Sequence, residues 1–209
     1  QGDDDVVTAV VGCLNQGAII ALKSVGGDHL ICDAQNTEAV DLLRRRKNRP
    51  DKPFAVMLPE PQSDVPGQSW LDNCVVVNSQ DKALLSSSIR PILLAPKKRN
   101  APIAENVAPM LSDLGVMLPC SGLHLMLMKQ FNRPMIATSG NEYGEPMVTS
   151  TSSAQQQLSM LADFFVHHNR DICHKLDDSV LRTVMSGAIP FRLGRGLSPL
   201  ELTLPYDVE

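Results

Sequence analysis

The densest concentration of potential chemistry in this sequence is Arg44-Arg45-Arg46-Lys47-Asn48-Arg49-Pro50-Asp51-Lys52-Pro53, six positive charges in ten residues of a chain whose net charge is −4. Guanidinium forks and a lysine point charge bind phosphate oxygens in complementary ways, so the run invites a polyphosphate. The prolines are expected to hold the segment extended, with its side chains pointing one way. A solvated helix end accounts for the same residues, because cations favour helix C-termini. A second cluster, Thr138-Ser139-Gly140-Asn141 with Gly144 beyond it, offers two hydroxyls, an amide and a permissive glycine directly after an apolar run. Such a loop can wrap a phosphate or ribose with hydroxyl and backbone N–H donors, although a plain Ser/Gly/Asn turn has this composition too.

A third cluster combines Asp177-Asp178-Ser179-Val180 with Arg192 and Arg195. Its carboxylates could hold Mg²⁺ on a nucleotide and its guanidiniums could clamp phosphate or carbamate, while Asp-Asp also reads as an ordinary turn. Lys23 and His29 flank a Gly26-Gly27 turn, a position at strand ends where α/β folds often contact ligands. His29 reads equally as a hydrogen-bonded core histidine. There is no G-x-x-x-x-G-K-[ST], and Gly194-x-Gly196 lacks a third glycine and a following helix, so neither a P-loop nor a dinucleotide fingerprint is present.

These clusters need elements to position them. Helical spacing runs over Val6 to Leu14, over Thr37 to Arg46 with Thr37 as its expected cap, over His124 to Gln130 and over Ser153 to Leu161. Short apolar runs predict strands at Ala18 to Leu22, Leu30 to Cys32, Phe54 to Leu58, Pro91 to Ala95, Gly115 to Leu118, Met135 to Ala137 and Phe164 to Val166. Strands interleaved with helices imply an α/β (α+β) domain with a mixed sheet. Pro59 to Ser69 and Lys97 to Pro102 read as loops, and Phe191 to Pro205 as an extended tail or edge strand.

At 209 residues and 43% apolar composition, one sizeable core is the expectation, so the whole chain is read as one domain. The acidic balance, with pI near 5.7, gives no general basic field for nucleic acid. No apolar run spans a bilayer, and the acidic start lacks the basic region of a signal peptide, which predicts a cytoplasmic protein. Five scattered cysteines without a C-x-x-C pair suggest reduced, mostly buried thiols. His167-His168, as strand neighbours, would face opposite ways and could not share one metal ion, and no protein-held metal is predicted.

Taken in order, the motifs resemble the YrdC-like domain over nearly the whole chain, from about Val6 to Pro205. Lys47-x-Arg49 followed by Pro53 resembles its K-x-R…P element, Thr138-Ser139-Gly140-Asn141 with Gly144 its T-S-[AG]-N…G element, and Ser179-Val180 its S-[TV]-V strand. Lys23 to Ala34, Arg44 to Met57, Gly115 to Pro119, Asp177 to Val180 and Arg192-x-x-Arg195-Gly196 look like the HypF-type carbamoyltransferase branch of hydrogenase maturation. The threonylcarbamoyl-adenylate branch typically has P-T-[DE]-T-x-Y-G-L near Lys23 to Leu30 and an arginine where Met117 stands.

The resemblance implies a YrdC-like (RibB-like) twisted sheet flanked by helices, with a concave ligand cavity. It implies ATP with Mg²⁺ and carbamoyl phosphate as ligands, and carbamoyl-adenylate as product. By the same resemblance Lys47 and Arg49 would take the phosphates and Thr138, Ser139 and Asn141 would close on the nucleotide. Lys23 and His29 would meet the carbamate, and Ser179, Arg192 and Arg195 would form the far wall. Ser24, Asp28, Gly122 and Glu142-Tyr143 depart from the branch, and Ser24 and Asp28 are expected to put a hydroxyl and a charge beside the carbamoyl site. Full-length HypF-type proteins add an acylphosphatase-like domain and zinc fingers upstream and a transferase domain downstream that loads a partner protein's thiol. The chain is therefore expected to be a domain excised from a longer protein. Two other readings stand beside this one: a threonylcarbamoyl-adenylate synthase acting in tRNA modification, and a module whose arginine-rich segment meets duplex RNA.

Overall fold

The apolar runs become the strands of one mixed sheet, and the alternation of side chains along them decides which residues face helices and which face an open cavity. The computed structural model describes residues 3–62, 67–142, 144–185 and 187–200. In chain order the elements are α1 Asp3–Asn15, β1 Ile20–Lys23, β2 Asp28–Asp33, α2 Thr37–Arg46, β3 Ala55–Met57, α3 Trp70–Cys74, α4 Ser79–Ser86 and β4 Ile92–Pro96. There follow a 3₁₀ turn at Glu105–Val107, β5 Asp113–Met117, α5 Gly122–Phe131, β6 Met135–Ser139, α6 Thr151–Gln157, β7 Phe164–Val166, β8 Val180–Val184 and β9 Gly187–Arg192. The sheet order is β7-β1-β2-β6-β3-β5-β4-β8-β9. β1/β7, β3/β5 and β4/β8 pair parallel, and the remaining neighbours antiparallel. The mixed α/β architecture is as expected.

One face of the sheet carries Leu30, Cys32, Val56, Val116 and Ile136, which are packed against α2, α3, α4 and α6 through residues such as Val40, Leu43, Leu71 and Leu85. The opposite face is divided. On one half Ile20, Leu22, Met57, Met117 and Met135 are sealed beneath α1 and α5. Further along the same strands the inward residues become small: Ala137 lies opposite Ala55, and Gly115 lies opposite Leu94. That change of size stops the core and opens a cavity. A Cβ on Gly115 would already sit 3.1 Å from Ile92 Cγ2.

Several local expectations are corrected. Asn36, not Thr37, caps α2, its side-chain oxygen accepting the Ala39 N–H at 3.1 Å. The run after α2 is not extended: Lys47 remains helical and Asn48 turns with φ 47°. Its side chains diverge as well, since Arg46 pairs with Asp163 at 2.7 Å while Arg44 is buried. α3 and α4 occupy a stretch with no sequence expectation, and α6 stops at Gln157, short of Leu161. Of the five unpaired cysteines only Cys32 and Cys74 are buried, and Cys173 is exposed. Tyr143 and Pro205 lie outside the described residues. No helix among the described residues is long and apolar enough to cross a membrane.

Candidate active site

The cavity on the small-residue half of the sheet has a volume of about 560 Å³. Its apolar floor includes Ala55, Ile92, Leu94, Gly115, Ala137 and Val180, and its polar wall includes His29, Lys47, Arg49, Thr138, Ser139, Asn141 and Arg192. Seven of the ten residues singled out for ligand contact therefore line one space. Three do not: Lys23, Ser179 and Arg195 are absent from the lining.

Lys47 reaches this wall because it continues the buried stripe of α2, four residues beyond Leu43 and three beyond Arg44. Only 4% exposed, its ammonium donates to Ser139 O at 2.7 Å, Asn141 O at 2.8 Å and Asn141 Oδ1 at 3.3 Å. Burial first, and then the charges of Arg49 and Lys52, lower its pKa from 10.5 to about 7. Arg49 donates to Thr138 Oγ1 at 3.2 Å and to the Pro53 carbonyl, and its pKa falls to about 10 through burial and the neighbouring Arg44 and Arg192 charges. Phe54 carries the Arg44 and Arg49 guanidiniums 4.7 and 4.8 Å from its ring centroid.

Arg44 explains why this strongly positive loop holds its shape. Its guanidinium donates to five carbonyls: Asn106 at 2.7 Å, Arg49 at 2.9 Å, Pro50 at 3.0 Å, Lys52 at 3.1 Å and Val107 at 3.0 Å. Neither the phosphate reading nor the solvated-end reading applies to it. Its placement was available as a pattern, since Val40, Leu43, Arg44 and Lys47 share one face of α2 while Arg45 is exposed.

The loop after β6 is set by Gly140, whose N–H donates to Asp28 O at 2.6 Å. A Cβ there would come within 2.7 Å of that oxygen, so the backbones could not approach so closely with any other residue. Ser139 Oγ donates to Asn141 Oδ1 at 2.6 Å, and Asn141 Nδ2 to Glu145 O at 2.5 Å. The Lys47 ammonium and these bonds tie the loop to the end of α2.

The opposite wall is built on Asp178. His29 Nε2 lies 3.2 Å from Asp178 Oδ2, and Arg195 donates to Asp178 Oδ1 from Nε at 3.1 Å and Nη2 at 2.8 Å. Burial alone would raise the Asp178 pKa, but the hydrogen bonds and charges of His29 and Arg195 outweigh it and hold the carboxyl well below the usual range. Arg195 also donates to Ile89 O at 2.9 Å and Arg90 O at 2.7 Å, so its guanidinium is consumed inside the protein. Ser179 Oγ donates to Arg195 O at 3.0 Å and accepts the Gly194 N–H at 2.9 Å. Both residues pin the 177–179 segment to the chain after β9.

Lys23 is displaced by strand parity. It pairs with Asp28 in the β1/β2 register, while the neighbouring pair is Leu22 with His29. Its ammonium donates to His168 O at 3.3 Å. Asp28, likewise on the far side from His29, lies 3.0 Å from His167 Nε2 and does not line the cavity. The expectation of a charge beside the carbamoyl site is thus overturned for Asp28. Ser24 Oγ sits 3.9 Å from Cys120 Sγ.

Among the described residues no three His, Cys, Asp or Glu side chains gather as a metal cage. Asp178 is occupied by His29 and Arg195, contrary to its expected availability for Mg²⁺. Asp177 and Glu142 are the carboxylates left on the cavity lining, which suits an ion that takes one or two carboxylates together with phosphate oxygens. Glu142, Phe54 and Met147 on the same lining carried no ligand expectation in the sequence, and Lys52 was there only as one charge of the basic run. Phe54 could have been inferred from its place directly after the basic run.

A family model for Sua5/YciO/YrdC, described as telomere recombination, matches residues 12–194. The chain is 41% identical over 205 residues to the carbamoyltransferase HypF of Rhodobacter capsulatus, covering 98% of this chain and 26% of that protein. It superposes on a full-length HypF crystallised in a phosphate- and nucleotide-bound form with a TM-score of 0.86 and 37% identity, covering 92% of this chain and 29% of that one. The threonylcarbamoyl-AMP synthase of Photobacterium profundum is 25% identical over 158 residues, covering 74% of this chain and 82% of that protein. The chain thus spans about a quarter of the length of the HypF relatives it matches.

Proposed function

Given that the chain belongs to the Sua5/YciO/YrdC family, with HypF-type carbamoyltransferases among its relatives, we propose that its cavity forms carbamoyl-adenylate from ATP and carbamoyl phosphate or the carbamate derived from it. Water first cleaves carbamoyl phosphate to carbamate and inorganic phosphate; a carbamate oxygen then attacks the α-phosphorus, the bond from that phosphorus to the bridging oxygen breaks, and pyrophosphate leaves. The observation that carries this reading is the meeting of four cations, Lys47, Arg49, Lys52 and Arg192, with an apolar floor in one cavity. Lys47 and Arg49, held by hydrogen bonds, place positive charge beside the phosphates without reorganising, Lys52 and Arg192 add exposed cations at the rim, and the floor suits the flat face of a purine. Thr138, Ser139 and Asn141 hold the loop that closes on the nucleotide. His29, oriented by Asp178, meets the carbamoyl end.

Mg²⁺ would be held by polyphosphate oxygens with Asp177 and Glu142, adding charge neutralisation there. In a longer protein of the HypF kind, a downstream transferase domain would take the product and load a protein thiol, a step toward the cyanide ligands of nickel–iron hydrogenase. The test is ATP–pyrophosphate exchange with carbamoyl phosphate, run in parallel with threonine plus bicarbonate, with Lys47→Ala as control. Exchange that needs carbamoyl phosphate and is lost in the variant supports the proposal. Exchange that needs threonine overturns it in favour of threonylcarbamoyl-adenylate synthesis, and salt-dependent duplex RNA binding with no nucleotide turnover would make the chain a binding module.

A further inference from the structure

A second concavity, of about 660 Å³, shares no lining residue with the cavity described above. Its lining combines Lys97, Lys98 and Arg99, from the chain that follows β4, with Ile103, Met110 and Leu111, from the chain that leads into β5. Glu105 is the single carboxylate on that lining. Among the described residues Lys97, Lys98 and Arg99 enter no ion pair, and Lys98 and Arg99 are exposed. Three adjacent cations without an anionic partner thus stand on a chain whose net charge is −4.

The backbone beneath these side chains is fixed. Lys97 N–H donates to Ser112 O at 2.7 Å, Lys98 N–H to Cys74 O at 2.9 Å and Ala104 N–H to Ala34 O at 2.8 Å, while Arg44 gathers the Asn106 and Val107 carbonyls. A rigid base with unengaged cations loses little freedom when an anion arrives. Met110 is fully exposed at φ 60°, and Leu111 beside it is 43% exposed. Bulky residues rarely adopt that left-handed conformation, which glycine or asparagine takes at lower cost. With the Met110 side chain in solvent, no packing inside the chain offsets the cost. Methionine is also the apolar side chain that adapts best to a partner's surface. The cations call for carboxylates or phosphates, and the apolar residues on the same lining call for an apolar side chain. Duplex nucleic acid would answer the cations alone and leave Met110 and Leu111 facing water, and the lining has no aromatic ring on which a base could stack.

We infer that this concavity is a docking surface for an acidic peptide segment of a partner protein, whose carboxylates meet Lys97, Lys98 and Arg99 while an apolar side chain on the same segment covers Met110 and Leu111. The inference stands apart from the function proposed above, because the two sets of residues are separate.

The test begins with random peptides displayed on phage and selected on the immobilised chain. Enriched sequences should carry two or more Asp or Glu residues together with an apolar side chain, and the most enriched peptide, fluorescently labelled, becomes the probe for anisotropy titrations. The triple variant Lys97→Ala/Lys98→Ala/Arg99→Ala should weaken the probe about tenfold, since three exposed ion pairs each contribute a factor of about two. Replacing the probe's own acidic residues by their amides should cost as much. Met110→Gly should weaken it about fivefold through lost apolar contact. The urea midpoint of that variant should stay level or rise, because glycine takes φ 60° without strain, whereas a merely structural Met110 would make it fall. A short RNA duplex should bind at least tenfold more weakly than the probe. The inference fails if selection shows no acidic enrichment, if the triple variant binds the probe as wild type does, or if the duplex binds more tightly than any selected peptide, which would make the surface one for nucleic acid. Probe binding lost in Arg192→Ala but kept in the triple variant would put the peptide in the nucleotide cavity and overturn the inference as well. Pyrophosphate exchange, present or absent, bears only on the earlier proposal; where present, it should stay within about twofold in the triple variant.

Discussion

If the cavity takes ATP as proposed, the buried ammonium of Lys47 makes nucleotide affinity depend on pH in a direction that can be worked out in advance. With a pKa of about 7, its charged fraction is half at pH 7 and about one per cent at pH 9. Polyphosphate binds the charged form and restores its proton, because an anion beside an ammonium offsets the burial that depressed it. If only the protonated protein binds, the apparent Kd for ATP rises roughly fifty-fold between pH 7 and pH 9. Arg49, which titrates near 10, contributes little over that interval. Isothermal titration calorimetry in buffers of different ionisation enthalpy should show uptake of about half a proton per ATP at pH 7, approaching one at pH 9. Lys47→Arg keeps its charge throughout and should bind with a nearly flat profile, while Lys47→Met binds weakly at every pH. A wild-type Kd that changes less than about threefold across the range would refute this account of Lys47. So would an Arg variant that shares the full rise.

Three further outcomes follow from the packing around the cavity. Gly115→Val places two methyl groups in the floor beside Ile92; it should cost about 1–3 kcal/mol in urea unfolding and weaken ATP binding at least tenfold, with an unchanged circular dichroism spectrum. Asp178→Asn removes the shared partner of His29 and Arg195 and should destabilise the chain by about 3–5 kcal/mol at pH 7. The wild-type carboxyl has a folded pKa below its unfolded value, so its stabilisation is present above about pH 4 and lost as pH falls further; the difference between the two proteins should shrink in acid denaturation. Arg44→Lys cannot span the five carbonyls that the guanidinium gathers and should lose about 3 kcal/mol by urea unfolding, with weaker ATP binding as the 49–52 segment loosens.

The first seven strands were legible because their centres are apolar, but their ends were not; β8 and β9, with Arg182, Thr183 and Pro190 inside them, present no apolar run, and the edge strand lies at Gly187–Arg192 and not over Phe191 to Pro205 as expected. β2 extends past Leu30 to Cys32 to include Asp28, His29 and Asp33, three buried residues whose charges read as a turn until their partners are seen. α3 and α4 were missed because five and eight residues give too few turns for a periodic pattern, although the Asn78/Asp81 capping box was present in the sequence. Local chemistry singled out Lys47, Arg49 and the Thr138 to Asn141 loop, but it was their order along the chain, in its resemblance to YrdC-like motifs, that set a phosphate role above a solvated helix end and a plain turn. Lys23, Ser179 and Arg195 are polar residues near the right motifs, yet their roles turn on contacts across the chain. Lys23 follows strand parity to the far face, and Arg195 meets carbonyls at Ile89 and Arg90, more than a hundred residues away.

The wall residues Asp178 and Arg192 and the floor residue Val180 come from β8, β9 and the segment just before them, and β8 completes the sheet by lying between β4 and β9. A nascent chain emerging from the ribosome would expose Lys47, Arg49 and the β6 loop long before it could enclose anything. Until β8 and β9 arrive, His29 lacks its carboxylate and the floor ends at Ile92 and Leu94. Nucleotide would therefore reward only the finished domain, so that a cell's ATP pool favours complete chains over prematurely released ones by mass action.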